Sequence, residues 1–117
     1  MTQKHFICTH TFTSDQSRQL FLTPPENRTP PIDRLNEKEW AKASKGDHAT
    51  CLQTWVGNDD FFFCHLIAKN EDQIYNQLAA WDLNNIVNTL IHPMHRFMSA
   101  YRNSDEIEQF PESGHKW

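Results

Sequence analysis

The alternation of apolar and polar stretches between Thr50 and Pro93 predicts a strand, a tight turn, a second strand, a helix and a last strand. The turn is Gly57-Asn58-Asp59-Asp60, which separates two runs rich in aromatic and β-branched side chains. A helix is predicted from residue 70 onward, because Asn70 is a strong N-cap residue and apolar residues then recur one turn apart. The last strand is predicted over residues 86–91, ended by His92-Pro93.

The chain before this unit predicts one more strand and two short helices. A period of two over residues 5–12 places four side chains on one face, namely Phe6, Cys8, His10 and Phe12. A first helix is predicted over residues 16–22, capped by Thr13-Ser14-Asp15 and stopped by Thr23-Pro24-Pro25. A second begins after Asn36, which can form a capping box with Glu39.

This order is βαββαβ, the α+β ferredoxin-like pattern, with an antiparallel four-stranded sheet and helices on one face. We expect a single domain over residues 1–102, with a Pro-rich insertion at residues 23–32 that is either a lid over a site or an exposed connector. Apolar residues at helical spacing predict a further helix from Met94 to Tyr101. Residues 103–117 read as a polar, acidic tail, in which Phe110 and Trp117 are able to dock on a partner.

Such a sheet leaves one face without helices, and a chain of 117 residues has little left to cover it. We therefore expect a homodimer that forms through the open sheet face.

The composition of the chain argues against some classes of function. The formal charge is −4 and no basic stripe is present, which argues against a nucleic-acid surface. No apolar run approaches the roughly 18 residues of a membrane span, and the N-terminus lacks a signal-peptide layout, so we expect no membrane contact and a cytoplasmic location. The three cysteines Cys8, Cys51 and Cys64 fall in predicted strands without CxxC spacing, as small buried hydrophobes do.

The seven histidines of this acidic chain are its best indication of a functional site, because histidine side chains bind metals and transfer protons. His10 and His65 lie on strands that are neighbours in this pattern, so they can approach one another if both face the open side. His92 and His95 follow at the end of the last strand. These four imidazoles are the candidate ligands of a transition metal, for which Ni, Cu and Zn fit best. The alternative is that each histidine satisfies one hydrogen bond and binds nothing.

A second constellation lies on the predicted hairpin, where a period of two brings five side chains to one face: Gln53, Trp55, Phe61, Phe63 and His65. This face suits a flat aromatic small-molecule ligand, and it suits a dimer core equally well. Asp59-Asp60 in the turn are expected to be solvated rather than catalytic.

The segment WVGNDDFFFCHLIAKNEDQI, continued through Leu90-Ile91-His92-Pro93, resembles the dimeric α/β-barrel superfamily. Within it, the chain is most similar to small uncharacterised proteins that include nickel-binding members. The resemblance implies two ferredoxin-like subunits whose sheets meet face to face around a cavity. Relatives in that superfamily bind metals, oxidise small aromatic substrates, open or isomerise lactones, or degrade haem.

Two functions remain open at this stage. One is a binding protein that holds a transition metal or a small ligand between the sheets. The other is a cofactor-independent oxygenase or isomerase that acts on a small aromatic or lactone substrate, with His65 or His10 as general base.

Overall fold

The computed structural model describes residues 3–57 and 60–107. These residues form an α+β fold with a four-stranded antiparallel sheet in the order β2-β3-β1-β4. In chain order the elements are β1 (Lys4–Phe12), α1 (Asp15–Leu22), α2 (Glu37–Ala43), β2 (Ala49–Val56), β3 (Phe61–Ala68), α3 (Glu71–Ala80) and β4 (Val87–Met94). Within the described part of the chain, no helix is both long and apolar enough to cross a membrane.

The three helices begin where the sequence predicts, because each has a side chain that caps its first turn. Ser14 accepts a hydrogen bond from the Ser17 N–H at 3.0 Å at the start of α1. Asn36 and Glu39 form the predicted capping box of α2, and Asn70 caps α3 by accepting from Gln73. These caps satisfy backbone donors that have no partner within the helix.

The core lies between the sheet and the helices, on the face to which alternate residues of β1 and β3 point. Its buried members from these strands are Phe6, Cys8, His10, Phe62, Cys64 and Leu66. From α3, Ile74 and Leu78 pack against them, as the predicted helical stripe requires. We call this the helix face of the sheet, and the opposite side the open face.

A buried amide ties α3 to the start of β2. The Gln77 Oε1 atom accepts from the His48 N–H at 2.7 Å and from the Ala49 N–H at 3.1 Å. Gly46 lies directly against this amide, and a Cβ at that position would overlap the Gln77 side chain. Gln77 is 3% exposed, and its hydrogen bond with the Ala49 N–H is buried, whereas the one with the N–H of the exposed residue His48 is only part-buried.

The end of the chain differs from prediction. The helix expected from Met94 to Tyr101 is wrong, because β4 continues to Met94 and residues 95–107 are irregular. Pro93 does not end the strand, since β4 is an edge strand, where a missing N–H is tolerated. We call residues 95–107 the C-terminal segment. Phe97 in this segment contacts His5 and His65 on the sheet, whereas Tyr101 is fully exposed, so its apolar residues do not form a helical stripe. Phe110, Trp117 and the turn residues Asn58 and Asp59 lie outside the described residues.

The Pro-rich insertion is held against α1 by an arginine. Arg28 Nε donates to the Thr23 carbonyl at 2.9 Å, and its Nη2 atom donates to the Phe21 carbonyl at 3.3 Å. Of the two residues by which a lid would be recognised, Phe21 is half-buried and stacks on Phe62, with ring centroids 4.5 Å apart. Ile32 is 53% exposed. Any covering role of this region therefore falls to Phe21 in α1 rather than to Ile32 in the loop.

Candidate functional site

The open face carries the hairpin constellation that the sequence predicts. Strand register pairs Gln53 with His65 and Trp55 with Phe63, and the Phe61 ring lies 5.2 Å from that of Phe63. A β-bulge between Cys51 and Gln53 sets this register, because it shifts the rest of β2 by one residue relative to β3. All five predicted side chains are thus brought to one face.

At the centre of this site, His65 is hydrogen-bonded to a second histidine. The Nδ1 atom of His5 lies 2.9 Å from Nε2 of His65, so one of these nitrogens carries the hydrogen and the other accepts it. The Phe97 ring from the C-terminal segment covers both imidazoles at centroid distances of 5.0 Å. His65 is 5% exposed as a result.

The sequence places His5 in a predicted strand, where its imidazole could serve as a ligand or a base, but His5 is not one of the four candidate metal ligands. Its position in β1 could have suggested the contact. His5 is two residues before Ile7, the cross-strand partner of His65, so His5 and His65 are diagonal neighbours on the open face, where a histidine–histidine contact is sterically possible.

Both histidines are held in the neutral form. Burial lowers the pKa of His5 below its ordinary value of 6.5, and the positive charge of Arg102 lowers this pKa further. Burial also lowers the pKa of His65, with a smaller contribution from His5. A neutral imidazole has an unprotonated nitrogen, so this pair is able to accept a proton, accept a hydrogen bond or bind a metal.

A cleft of about 430 Å³ separates the open face from the C-terminal segment beside this pair. Its walls combine polar groups, namely the two imidazoles, the Gln53 amide, Arg96 and Ser99, with apolar and aromatic side chains, among them Ile7, Trp55, Met94, Phe97 and Met98. An apolar cleft with a few fixed polar groups is typical of small-molecule sites. Trp55 lines this cleft and is half-exposed.

The four histidines proposed as metal ligands do not form one group. His10 points to the helix face, where its Nδ1 atom lies 2.8 Å from Thr89 Oγ1, whereas His65 points to the open face. His10 and His65 sit on neighbouring strands, but their positions have opposite parity in the β1–β3 register, so the sheet separates their rings.

His92 does share the open face with His65. Both residues pair with Ile7 from opposite sides of β1, which puts their backbones about two strand spacings, roughly 9.5 Å, apart. His95 follows β4, in the C-terminal segment. Among residues 3–57 and 60–107, no group of three or more His, Cys, Asp or Glu side chains is placed to hold a metal ion.

Comparison with known proteins adds no relative: no family model, no curated protein and no solved structure matches the chain.

Proposed function

We propose that the chain has the ferredoxin-like fold and forms a homodimer through the open face of its sheet. The strand order β2-β3-β1-β4 with all neighbours antiparallel supports this fold. Large apolar side chains on the open face support the dimer, since Leu90 is 64% exposed and Trp55 50% exposed in the single chain. A second copy would bury both.

Charge supports the same assembly. Asp, Glu, Lys and Arg make up 22% of the chain, yet none occupies an open-face position in the paired registers of the four strands. The cores of protein interfaces are depleted in charged residues in the same way.

The dimer is tested by sedimentation velocity at micromolar concentration. We expect wild type to sediment as a dimer, and Leu90→Lys, which places a charge on the open face, to sediment as a monomer. Tyr75→Lys is the matched control, because Tyr75 is 52% exposed but lies on α3, away from that face. A monomeric wild type would refute the proposal, as would a Leu90→Lys variant that remains dimeric.

We further propose that the open-face cleft binds a small, flat aromatic molecule that carries a hydroxyl group. The observation that carries this proposal is the neutral His5–His65 pair beneath Phe97, at the side of an otherwise largely apolar cleft. The aromatic body would lie against Trp55 and Phe97, which line the cleft, while the hydroxyl would donate to the imidazole nitrogen of the pair that is left as an acceptor. If the bound molecule reacts, the same imidazole is the general base of the oxygenase or isomerase alternative.

The transition-metal alternative needs both protomers. Each subunit offers two adjoining imidazoles, and two open faces that meet would bring four, the number that a tetrahedral zinc site uses. His10 is not part of this set because it lies on the helix face.

Ligand-observed saturation-transfer NMR with 2-naphthol as the probe tests small-molecule binding. We expect a signal with wild type and with His48→Ala, whose imidazole is hydrogen-bonded to Gln73 on α3 and does not line the cleft, and no signal with His65→Ala. Equal signals from the two variants would refute the aromatic site. Dialysis of untagged protein against Ni²⁺, Cu²⁺ or Zn²⁺, followed by elemental analysis, tests the metal alternative, which predicts uptake that His65→Ala abolishes.

A further inference from the structure

A second cavity lies on the helix face, separated from the open-face cleft by the sheet itself. Its volume is about 240 Å³, and it is bounded by the sheet below and by side chains of all three helices and the turn after α3 above. The lining is largely apolar, including Phe21, Trp40, Phe62, Leu78 and Trp81. Four polar or sulfur-bearing strand residues also line it: His10, Cys51, Thr54 and Cys64.

The β-bulge gathers these groups around Cys64. In a regular strand Cys51 and Gln53 would share a face, but the bulge puts Cys51 and Thr54 together on the helix face instead. Thr54 is the direct cross-strand partner of Cys64, and its hydroxyl lies 3.4 Å from the Cys64 Sγ atom. Irregularities of this kind are frequent next to active sites, where they redirect a side chain.

His10 completes the group from the other neighbouring strand. Its Nδ1 atom is hydrogen-bonded to Thr89 at 2.8 Å, and its ring lies 4.7 Å from that of Phe62, so the imidazole is fixed in orientation. The other ring nitrogen of His10, Nε2, is then the one that can hydrogen-bond to Cys64. Hydrogen bonds from Cys51 and from His10 lower the pKa of the Cys64 thiol below its ordinary value, while burial opposes them. Burial instead raises the pKa of Cys8 to about 12.

We propose that Cys64 is a nucleophile and that the helix-face cavity captures small, apolar α,β-unsaturated carbonyl compounds on it. In this step the Cys64 Sγ atom forms a bond to the β-carbon of the alkene. The π electrons move to the α-carbon, which takes up a proton from solvent that is relayed through His10 Nε2, so that the thiolate, the alkene and one proton give the neutral thioether. The addition has no leaving group and consumes neither oxidant nor reductant.

The cavity determines the class of electrophile. A volume of 240 Å³ corresponds to roughly eight water molecules, which admits a chain of about six carbons and excludes larger molecules. The apolar walls disfavour charged reagents, because a buried charge without a partner is costly. The thiolate is the reactive form of cysteine, and an activated alkene is an electrophile that it attacks without further activation.

The test is intact-mass spectrometry and peptide mapping after brief treatment with trans-2-hexenal at pH 6. In the folded protein we expect one addition, located on Cys64. The same treatment in guanidinium chloride should remove the preference, so that Cys8, Cys51 and Cys64 react at similar rates. A folded protein that takes up no hexenal, or takes it up mainly on Cys8 or Cys51, would overturn the proposal, and this comparison needs no variant.

Variants separate the roles of the two residues. Cys64→Ser should abolish the native adduct, whereas Cys8→Ser, which removes a thiol that does not line the cavity, should react as wild type. His10→Gln should slow addition by about 100-fold, in line with the loss of a general acid–base group, while the adduct stays on Cys64. If His10→Gln has the wild-type rate, or Cys64→Ser still gains one hexenal, the assignment is wrong. Circular dichroism of each variant verifies the fold.

Discussion

Replacement of Gln77 by methionine tests whether the buried amide stabilises the packing of α3 against β2. The side chain keeps its length but loses the oxygen that accepts from His48 and Ala49 at 2.7 and 3.1 Å. Each lost hydrogen bond costs about 1 kcal/mol, and the buried Ala49 N–H adds a further desolvation cost of about 1 kcal/mol, because no water replaces the amide there. The N–H of exposed His48 is open to water. We expect a loss of about 3 kcal/mol in the free energy of unfolding.

Urea denaturation at fixed protein concentration measures this loss. With a urea dependence of about 1.5 kcal/mol per molar, the midpoint should fall by about 2 M without a change of slope. Gln73→Met is the matched control, one helical turn earlier on α3. Its amide contacts the His48 side chain at an exposed site, so we expect a change below about 0.5 kcal/mol. Equal losses in Gln77→Met and Gln73→Met would refute the reasoning.

Three further outcomes follow from the structure. Because the pKa values of His5 and His65 are lowered on folding, the unfolded state binds more protons between the folded pKa values and 6.5, so the free energy of unfolding should fall as pH drops below 6.5. Urea denaturation at pH 5.5 and 7.5 should show this fall in wild type and a smaller one in the His5→Asn/His65→Asn double variant. Phe97→Ala uncovers both imidazoles, so an NMR titration should show their pKa values rising towards 6.5, whereas the fully exposed Tyr101→Ala should leave them unchanged. Asn70→Ala removes the cap of α3 and should cost about 1 kcal/mol by chemical denaturation, and no loss would show that the cap contributes nothing.

The elements that the sequence predicted well are those fixed by local chemistry. Capping side chains at Ser14, Asn36 and Asn70 begin the three helices at the expected places, and alternation in β1 and β3 separates the two faces correctly. Local rules failed after Leu90. Apolar residues recur there at helical spacing without forming a helix, because Phe97 makes a tertiary contact with the histidine pair, and residue spacing does not predict such contacts.

The candidate site was predictable only in part. The hairpin constellation follows from alternation, and register brings its five members together. The expectation for His10 assumed that it faces the same side as His65, although the parity of β1 already grouped it with Phe6 and Cys8. The β-bulge after Cys51 was not predicted, because nothing in the sequence of β2 marks where a residue is left unpaired.

Pro93 protects the edge of the sheet from pairing with strands of other chains. It lies in β4, one of the two outer strands of the sheet, and it cannot donate a main-chain hydrogen bond. If a strand of another chain paired with β4, the hydrogen bonds between the two strands would be interrupted at Pro93. Proline in an edge strand is a recognised protection against such edge-to-edge aggregation. Substitution of Pro93 would therefore make the protein more prone to form ordered aggregates.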